Sequence, residues 1–380
     1  DSNIKMGEQT TYINKKEINN SHKELFYFEK SEFDKIIKIK NNWLIKKKTL
    51  SNMLRVNILY MIQNAGSGHI GTSFSAIDLV NYVYFDFLSN DDIYFSSKGH
   101  DAPALYSVLM TKNIFPFSNI HKFRKINGLP GHPDIKTKGI FTNTGSLGMG
   151  ISKAKGFLIA KNLKKKNGKV IVLTGDGELQ EGQFWESLIN IPKNISKNLI
   201  IIIDNNKYQS DLSIEDTSSL GNLKNKLESF NIKTFTCDGN NFNDIKKTFN
   251  KIKNINSAKA IIANTIKGKG VSFIESKPLI KNMYYNYHSG SLKYEEYLKA
   301  KDELIKNFHK IDKNLPVLKL TKKTTKIRNL IDNHQSFISE YSRSILAIGK
   351  KNKKVICLDA DLVVDTGLKK FKHKYPNQFV

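Results

Sequence analysis

The chain contains 380 residues, of which 39% are hydrophobic, and it carries a formal net charge of +26. This length and apolar content allow a large core and predict more than one domain, which excludes an intrinsically disordered chain. No apolar run is long enough to cross a bilayer and the amino terminus does not look like a signal peptide, so we expect a cytoplasmic protein without a membrane partner. The two cysteines, Cys237 and Cys357, lie in apolar strand-like runs, which indicates a reducing compartment.

The positive charge comes mostly from lysines that are scattered over the whole chain, as in the runs at 164–166 and 350–354. These runs lack interleaved aromatic residues, arginine forks and the spacing of zinc or helix-turn-helix motifs. Because Ile and Asn are also abundant, a bias towards AT-rich codons explains the composition more simply. We therefore expect no specific nucleic-acid partner, and binding through charge alone, which would vanish steeply with salt, is the weakest alternative.

The predicted elements follow in chain order. Residues 1–40 are polar and lysine-rich with a weak apolar pattern, which predicts a leader or a loose helical arm. Apolar residues then recur at helical spacing up to Gly66, which is placed to end the helix; they are Leu50, Met53, Leu54, Ile58, Met61, Ile62 and Ala65. Helical segments separate four apolar strands, predicted at 170–173, 199–203, 234–237 and 260–263. This alternation predicts an α/β fold with a doubly wound parallel sheet.

A polar, lysine-rich connection at 312–326 precedes a predicted helix at 337–348 and a predicted strand at 355–358. We therefore predict a domain at 41–315, a linker at 316–326 and the incomplete start of a second α/β domain at 327–380. Since the chain stops soon after that strand, we expect it to be part of a longer product.

The run Thr174 to Gly182, with the sequence TGDGELQEG, contains the most informative residue of the chain. Asp176 lies where the strand at 170–173 gives way to a turn, and the glycines on both sides would let a ligand approach the backbone. The helical segment expected at 183–190 would offer its amides to an anion. Asn206 follows the next strand and should reach the same edge of the sheet, where two oxygen side chains suit a hard cation that carries a diphosphate. The alternative is that Asp176 only caps the following helix.

The Gly-Asp-Gly turn followed by Asn206 resembles the signature of thiamine-diphosphate enzymes. Among these enzymes, the Glu-Gly pair at 181–182 resembles the pair that transketolases have at this place. Five further segments match that family in order: SGHIG at 67–71, SKGHDAPALY at 97–106, GLPGHP at 128–133, TGSLGMGIS at 144–152 and YHSG at 287–290. The resemblance covers roughly residues 42–380 and implies the family's thiamine-diphosphate-binding fold.

Four of the nine histidines, His69, His100, His132 and His288, lie in these glycine-flanked segments. A single glycine-flanked histidine is usually only a loop residue. Four such histidines in one chain, in contrast to the other five, favour a functional site. We expect the remaining five to be solvated, because they lie among lysines or on charged helix faces; they are His22, His121, His309, His334 and His373. Histidine suits sugar chemistry because it can donate to a carbonyl or hydroxyl oxygen and exchange protons near neutral pH.

The resemblance implies two cofactors, thiamine diphosphate and Mg²⁺ or Ca²⁺. Asp176, Asn206 and the carbonyl of Tyr208 would ligate the metal. The remaining cofactor contacts implied by the resemblance are Gly145, Leu147, Gly175, Gly177 and Asp361. The glycine-rich turn at 145–150 would pack against the cofactor, although tight helix packing explains its glycines equally well.

The resemblance also implies the reaction, which is transfer of a two-carbon ketol unit from a ketose to an aldehyde. His69, His100 and His288 would be catalytic, and His132 would line the substrate channel together with His69 and His288. Glu181 would belong to a carboxylate network that joins two active sites, with Glu186 near the same interface. The expected partners are sugar substrates and either a second copy in a homodimer or a separate C-terminal subunit in a heterotetramer.

Two departures from the family limit this interpretation. The family's essential glutamate lies in a Gly-x-x-Glu-Gln motif that this chain does not contain, so we expect no turnover by the chain alone. The stretch at 335–339 lacks the arginine that binds phosphate in ordinary transketolases, and Asp365 occupies the place of a serine. Because a carboxylate repels phosphate, this favours an unphosphorylated or differently charged acceptor.

Two alternatives within the same fold stay open at this point. Deoxyxylulose-phosphate synthase shares the Gly-Asp-Gly turn but lacks the Glu-Gly pair, so Glu181-Gly182 argues against it. A non-catalytic paralogue or regulatory subunit that binds the cofactor without turnover also fits the sequence.

Overall fold

The structure, a computed structural model, describes residues 22–40, 42–277, 284–326 and 337–380. Nine strands are assigned in the described residues: β1 (His22–Phe28), β2 (Ile93–Ser96), β3 (Val170–Gly175), β4 (Leu199–Asn205), β5 (Tyr208–Gln209), β6 (Leu212–Ser213), β7 (Lys233–Asp238), β8 (Lys259–Asn264) and β9 (Leu320–Lys326). Five of them form a parallel sheet in the order β2-β3-β4-β8-β7. The predicted α/β class with a parallel sheet is therefore confirmed.

Thirteen α-helices connect and cover these strands in the described part of the chain: α1 (Lys30–Lys38), α2 (Trp43–Ala65), α3 (Ile70–Tyr82), α4 (Ala102–Thr111), α5 (Gly150–Leu163), α6 (Gly182–Leu188), α7 (Lys193–Ser196), α8 (Ile214–Thr217), α9 (Leu223–Ser229), α10 (Phe242–Ile252), α11 (Tyr294–Ile311), α12 (Phe337–Lys351) and α13 (Lys369–Lys374). A π-helical turn, Val83–Phe87, extends α3, and short 3₁₀ helices lie at Phe117–His121, Gly177–Gln180 and Pro376–Gln378. No helix among the described residues is long and apolar enough to cross a membrane.

The two faces of the central sheet bury different sets of side chains. Ile171 and Leu173 of β3 join the cluster formed by α2, α3, α4, α10 and α11 on one face. Val170 and Val172 join the cluster formed by α5, α6, α7 and α9 on the other. Because successive side chains of a strand point to opposite faces, an unbroken apolar run is what a sheet covered on both sides requires.

The helix α2 is longer than its predicted core and is buried on nearly all sides. It begins at Trp43, where the Asn42 side chain accepts a hydrogen bond from the amide of Leu44. It ends as predicted at Gly66, whose φ of 73° lies in the left-handed region that glycine adopts without strain. Helices α3, α4 and α11 pack around it, which makes α2 the centre of the larger core.

The prediction of a leader or loose arm at 1–40 is wrong for residues 22–40, the part of this segment that the structure describes. Strand β1 pairs antiparallel with β9, and α1 buries Phe33 and Ile36 in the main core. The Asn57 side chain of α2 bonds both the amide and the carbonyl of Phe28, which fixes β1 to the domain. Residues 1–21 lie outside the described residues.

Two other predictions near the carboxyl end also need correction. Part of the predicted linker at 316–326 is strand β9, held by its partner β1. The predicted strand at 355–358 is not formed; Cys357 makes only an isolated bridge with Phe379. A strand needs a neighbour for its backbone groups, and in the described residues this segment has only that single bridge. The predicted helix at 337–348 is present as α12.

Candidate functional site

A cavity of about 450 Å³ opens at the carboxyl ends of β3 and β4. This is the edge at which open parallel sheets usually bind ligands. All the residues predicted from the sequence as site residues line this one cavity: His69, His100, His132, Gly145, Leu147, Gly175, Asp176, Gly177, Glu181, Asn206, Tyr208, His288 and Asp361. Glu186, expected near an interface, is exposed and is not among the lining residues. The individual roles of the lining residues stay predictions.

Asp176 is buried at the end of β3, where it lines the cavity, and both of its carboxylate oxygens accept hydrogen bonds. Oδ1 accepts a hydrogen bond from the amide of Gly177 at 2.9 Å, and Oδ2 accepts one from the amide of Lys207 at 2.6 Å. Burial raises the pKa of Asp176 to about 7, and the charge of Asp204 adds to this effect. A cation beside the carboxylate would compensate this cost. The first of these bonds also caps the 3₁₀ helix Gly177–Gln180, so the capping role is present alongside any metal role.

The neighbouring donor set fits a hard divalent cation. Asn206 lies after β4, and its Oδ1 accepts a hydrogen bond from the amide of Tyr208 at 3.0 Å. Each carboxylate and amide oxygen has a further lone pair, so Asp176 and Asn206 could each bind a metal as well. Within the described ranges, no group of three or more His, Cys, Asp or Glu side chains is arranged to hold a metal. A metal here would therefore depend on mixed oxygen ligands and on the bound anion.

Two buried lysines, which the sequence analysis did not single out, supply positive charge to the cavity. Lys98 is 1% exposed and contacts the Asp204 carboxylate, and it also donates to the Thr72 hydroxyl at 2.8 Å. Lys267 is 2% exposed, donates to the carbonyl of Ser210 at 2.8 Å, and has its pKa lowered to about 8 by burial. The cavity is also lined by carboxylates, so these two ammonium groups are the cations at its wall that could contact an anionic ligand such as a diphosphate.

Glu178, a carboxylate that the sequence did not identify as a site residue, connects two turns of the site. It is buried and accepts hydrogen bonds from the amides of Gly148 at 2.9 Å and Gly175 at 3.2 Å, and from the Ser97 hydroxyl. It therefore connects the glycine-rich turn to the strand end that carries Asp176. Gly148 has a φ of 79°, and a Cβ there would fall 2.7 Å from the Cβ of Glu181, so this turn requires glycine.

The four histidines expected in the site converge in it. The ring centre of His69 lies 5.2 Å from that of His100, 5.2 Å from that of His288 and 6.3 Å from that of His132. Nδ1 of His100 donates to the carbonyl of Lys98 at 2.9 Å, whereas Nδ1 of His69 and of His288 are buried without a partner in the described structure. These two nitrogens are available to a ligand.

All four histidines are held neutral, with burial as the main cause. Burial lowers the pKa of His69 to about 4 and that of His288 to about 2. The pKa of His100 is also well below its ordinary value, and that of His132 is lowered. Neutral imidazoles can both donate and accept a hydrogen bond, which suits a cluster that handles hydroxyl and carbonyl groups.

The expectation that the other histidines are solvated holds only in part. His309 and His373 are exposed. His121 instead is half-buried, with Nδ1 2.7 Å from the hydroxyl of Tyr60 and its ring against Tyr27. The lysine-rich flanks of His121 gave no sign of this packing, because the contact depends on β1. His334 and the side chain of His22 lie outside the described residues.

We expect the protein to lose stability as the pH falls below about 6.5, because the fold keeps His69 neutral. Its pKa in the fold, about 4, lies below the ordinary value of 6.5, and after burial the causes are Arg124, His132 and Lys267. The unfolded chain therefore binds the proton more tightly. The contribution is complete above the unfolded pKa and is lost on acidification, costing about 2 kcal/mol by about pH 5.

Replacement of His69 by Gln, which does not titrate, should reduce the pH dependence of the free energy of unfolding without abolishing it, because the pKa values of His100, His132 and His288 are also lowered. Urea denaturation between about pH 5 and about pH 7.5 measures this dependence. His309→Gln, an exposed control on α11, should leave the slope unchanged. An identical slope for the parent and His69→Gln would contradict the prediction.

Comparison with known proteins agrees with the geometry of the cavity. The family model described as "Transketolase, thiamine diphosphate binding domain" matches residues 46–342. The chain is 36% identical over 245 residues to a subunit of apulose-4-phosphate transketolase from Actinobacillus succinogenes, covering 62% of this chain and 88% of that protein. It is 34% identical over 245 residues to 6-deoxy-6-sulfo-D-fructose transketolase subunit SqwG from a Clostridium species, covering 61% of this chain and 89% of that protein.

A solved structure shows the same relationship. The fold matches transketolase from Campylobacter jejuni with a TM-score of 0.59 and 27% identity, covering 70% of this chain and 43% of that chain. The present chain thus spans most of the length of the two subunit relatives but less than half of the transketolase of known structure. The chain belongs to the transketolase family of thiamine-diphosphate-dependent transferases, and residues 46–342 match the family's thiamine-diphosphate-binding domain.

Proposed function

We propose that this chain provides the diphosphate-binding part of an enzyme that transfers a two-carbon ketol unit from a ketose to an aldehyde. The observation that carries the proposal is that the Asp176 turn, Asn206 and four neutral histidines line the same cavity. Thiamine diphosphate, when bound, supplies the carbanion chemistry that breaks and forms the bond between two sugar carbons. The substrate class is a sugar, and the setting is carbohydrate metabolism in the cytoplasm.

The residues of the cavity divide between holding the cofactor and handling the sugar. Asp176, Asn206 and the carbonyl of Tyr208 would ligate Mg²⁺ or Ca²⁺, while Lys98 and Lys267 would offset the charge of the diphosphate. Gly145, Leu147, Gly175, Gly177 and Asp361 would contact the cofactor through shape and backbone groups. Support for this division comes from the buried Asp176 carboxylate. Burial and the charge of Asp204 raise its pKa in spite of Lys267, so a ligated cation would stabilise its charged form.

The histidines would act on the sugar oxygens. His69 and His288 each have a buried Nδ1 without a partner in the described structure, so they can bind a hydroxyl or carbonyl oxygen. His100, oriented by its hydrogen bond to Lys98, would stabilise a developing alkoxide and exchange its proton. His132 would line the entrance. Since the pKa values of all four are lowered, the cluster would begin the reaction uncharged.

The test is ketol transfer between unlabelled ketose and labelled aldose by the assembled enzyme, with and without thiamine diphosphate and Mg²⁺. Cofactor-dependent transfer is expected. The alternative is a paralogue that binds the cofactor without turnover. Cofactor binding in calorimetry without any transfer would support that alternative and overturn the catalytic proposal.

We also propose that the working unit is an assembly, either a homodimer or a heterotetramer with a separate C-terminal subunit. Glu181 is exposed at the cavity, where it is available to a partner's carboxylate network. Glu181→Gln should weaken both assembly and transfer activity by about tenfold, because a charge-assisted hydrogen bond between subunits is lost. Sedimentation together with an activity assay measures both quantities.

The exposed Glu186 on the neighbouring helix offers a control, since it lies outside the cavity lining. Glu186→Gln should have the smaller effect on transfer. Full activity from a strictly monomeric species would overturn the proposed assembly.

A further inference from the structure

A second cavity, of about 560 Å³, opens at the amino ends of β3, β4 and β8. Lys169 precedes β3 and lines this cavity, whereas Gly175 ends β3 and lines the first cavity, the one that contains Asp176. Six residues of a strand span about 20 Å, so the two cavities lie at opposite edges of the sheet. The volume of the second cavity falls within the usual range of small-molecule sites.

Four lysines from distant parts of the chain line the second cavity. Lys169 and Lys259 lie at the starts of β3 and β8, Lys197 lies shortly before β4, and Lys253 follows α10. Because β3, β4 and β8 are parallel neighbours, their starts meet at one edge of the sheet. The register of the sheet therefore brings three of the four lysines together.

Lys259 is the buried member of this group. It is 3% exposed, and its ammonium donates a hydrogen bond to the carbonyl of Lys197. Burial lowers the pKa of Lys259 to about 8, and the charge of Lys169 adds to this effect. A buried ammonium is costly unless an anion lies beside it, because the group has lost water and gained no opposite charge.

The carboxylates near this cavity already have cationic partners. Asp86 belongs to the lining, but it contacts the ammonium of Lys47, which does not. Asp92 pairs with Lys169 at 2.7 Å. In the described structure, the other three lysines of the lining form no ion pair, so their charges are uncompensated.

The rest of the wall suits the body of a small organic anion. Phe87 and Ile200 supply apolar surface, and the ammonium of Lys169 lies 5.3 Å from the ring centre of Phe87. Asn198 and Asn256 add side-chain amides to the lining. Amide and ammonium groups both donate hydrogen bonds, and ammonium groups are common partners of phosphate oxygens in proteins.

We propose that the second cavity binds a small molecule that carries a phosphate or diphosphate group, with the ammonium of Lys259 as the central contact. Lys197 and Lys253, which are exposed at this edge, would contact the outer oxygens. Binding supplies the counter-ion that the buried ammonium lacks, so the ligand stabilises the folded chain. Ketol transfer is not required for this binding, since the two cavities share no lining residue in the described part of the chain.

The experiment measures whether inorganic pyrophosphate protects the lysines of the second cavity from acetylation. The assembled enzyme is treated briefly with acetic anhydride, with pyrophosphate or with sodium chloride at the same ionic strength. Mass spectrometry then gives the acetylation rate of each lysine. Saturating pyrophosphate should slow acetylation of Lys197 and Lys253 by about fivefold or more, because an ammonium that binds phosphate is withheld from the reagent. Lys247, an exposed lysine of α10 outside the cavity lining, should keep its rate.

Lys259→Met removes the buried ammonium and keeps a long side chain. The pyrophosphate concentration that half-protects Lys197 and Lys253 should rise by about tenfold or more, because a hydrogen bond between charged groups is lost. Lys253→Gln changes an exposed side chain, so it tests the site even if Lys259→Met does not fold. It should raise the half-protecting concentration, measured at Lys197, by about two- to fivefold. Lys247→Gln is the matched control and should behave as the parent.

Three results would overturn the proposed site. Equal protection by sodium chloride would show that ionic strength alone slows the reaction. Protection confined to Lys98 and Lys267 would place pyrophosphate in the first cavity only. An unchanged half-protecting concentration in the folded variants would show that Lys253 and Lys259 do not hold the anion.

Discussion

Asp176→Ala is expected to abolish binding of thiamine diphosphate in the presence of Mg²⁺ by the assembled enzyme. The substitution removes the only carboxylate of the proposed metal ligands, so the charge of the diphosphate is no longer compensated. It also leaves the amides of Gly177 and Lys207 without their acceptor. We expect affinity to fall by about 100-fold or more, since even residues that merely support metal ligands contribute 10- to 100-fold. Isothermal calorimetry with cofactor and Mg²⁺ measures the change.

Asp176→Asn separates the metal role from the capping role. Asparagine caps a helix about as well as aspartate and keeps an oxygen for the amide of Gly177, but its amide nitrogen would face the amide of Lys207. A residue that only caps would therefore lose some stability and keep the affinity for the cofactor. A metal ligand would not keep that affinity, because the charge is lost. Asp365→Asn removes an exposed carboxylate and serves as the control. Unchanged cofactor affinity in Asp176→Ala would refute the metal assignment.

The strands and the position of the site could be predicted because both depend on local pattern. The apolar runs of β3 and β4 identify strands covered on both faces, and the carboxyl ends of parallel strands meet at one edge. Asp176 and Asn206 follow these two strands directly, so their proximity was implied before any contact was known. The observed strands extend the predicted ones by only a few residues.

The elements that were missed depend on contacts between distant parts of the chain. Strand β1 is stabilised by β9 and by Asn57 of α2, and nothing within residues 22–28 indicates these partners. Strand β2 has only four residues between polar neighbours, which is too short for a periodic pattern to identify. Conversely, the segment at 355–358 has a strand-like composition but pairs only through Cys357.

The buried charges of the site were missed for a different reason. With 61 lysine and arginine residues in the chain, residue type alone does not distinguish Lys98 or Lys267 from the many solvated lysines, although Lys98 lies in the matched segment at 97–106. Only tertiary structure shows that they are enclosed and face acidic side chains. Glu178 lies three residues before the predicted site residue Glu181. Its side chain is buried and accepts a hydrogen bond from the amide of Gly148, whereas Glu181 is exposed. Burial of a polar residue is fixed by its partners, which local sequence does not contain.

Lys98→Met is expected to lower the free energy of unfolding by about 3 to 5 kcal/mol, because it leaves a buried carboxylate without its counter-ion. Lys98 and Asp204 are 1% and 0% exposed and are in direct contact. Although burial opposes the charge of Lys98, Asp204 and Asp101 raise its pKa, so the ammonium is the stable form. The hydrogen-bond partners left to Asp204 in the described structure would be hydroxyl and amide groups, including Ser75 at 2.7 Å, and Lys267 would act on it only through its more distant charge. Guanidinium denaturation followed by circular dichroism measures the loss.

The exposed pair of Lys322 and Glu24 provides the control, since its side chains are 55% and 45% exposed. Lys322→Met should cost less than about 1 kcal/mol, because water screens both charges there. If burial of an uncompensated charge is the cause, adding Asp204→Asn to Lys98→Met should recover part of the lost stability, since the neutral amide no longer needs an ammonium partner. Equal small losses for Lys98→Met and Lys322→Met, or a double variant as unstable as the sum of its single changes, would show that the pair does not act as a buried ion pair.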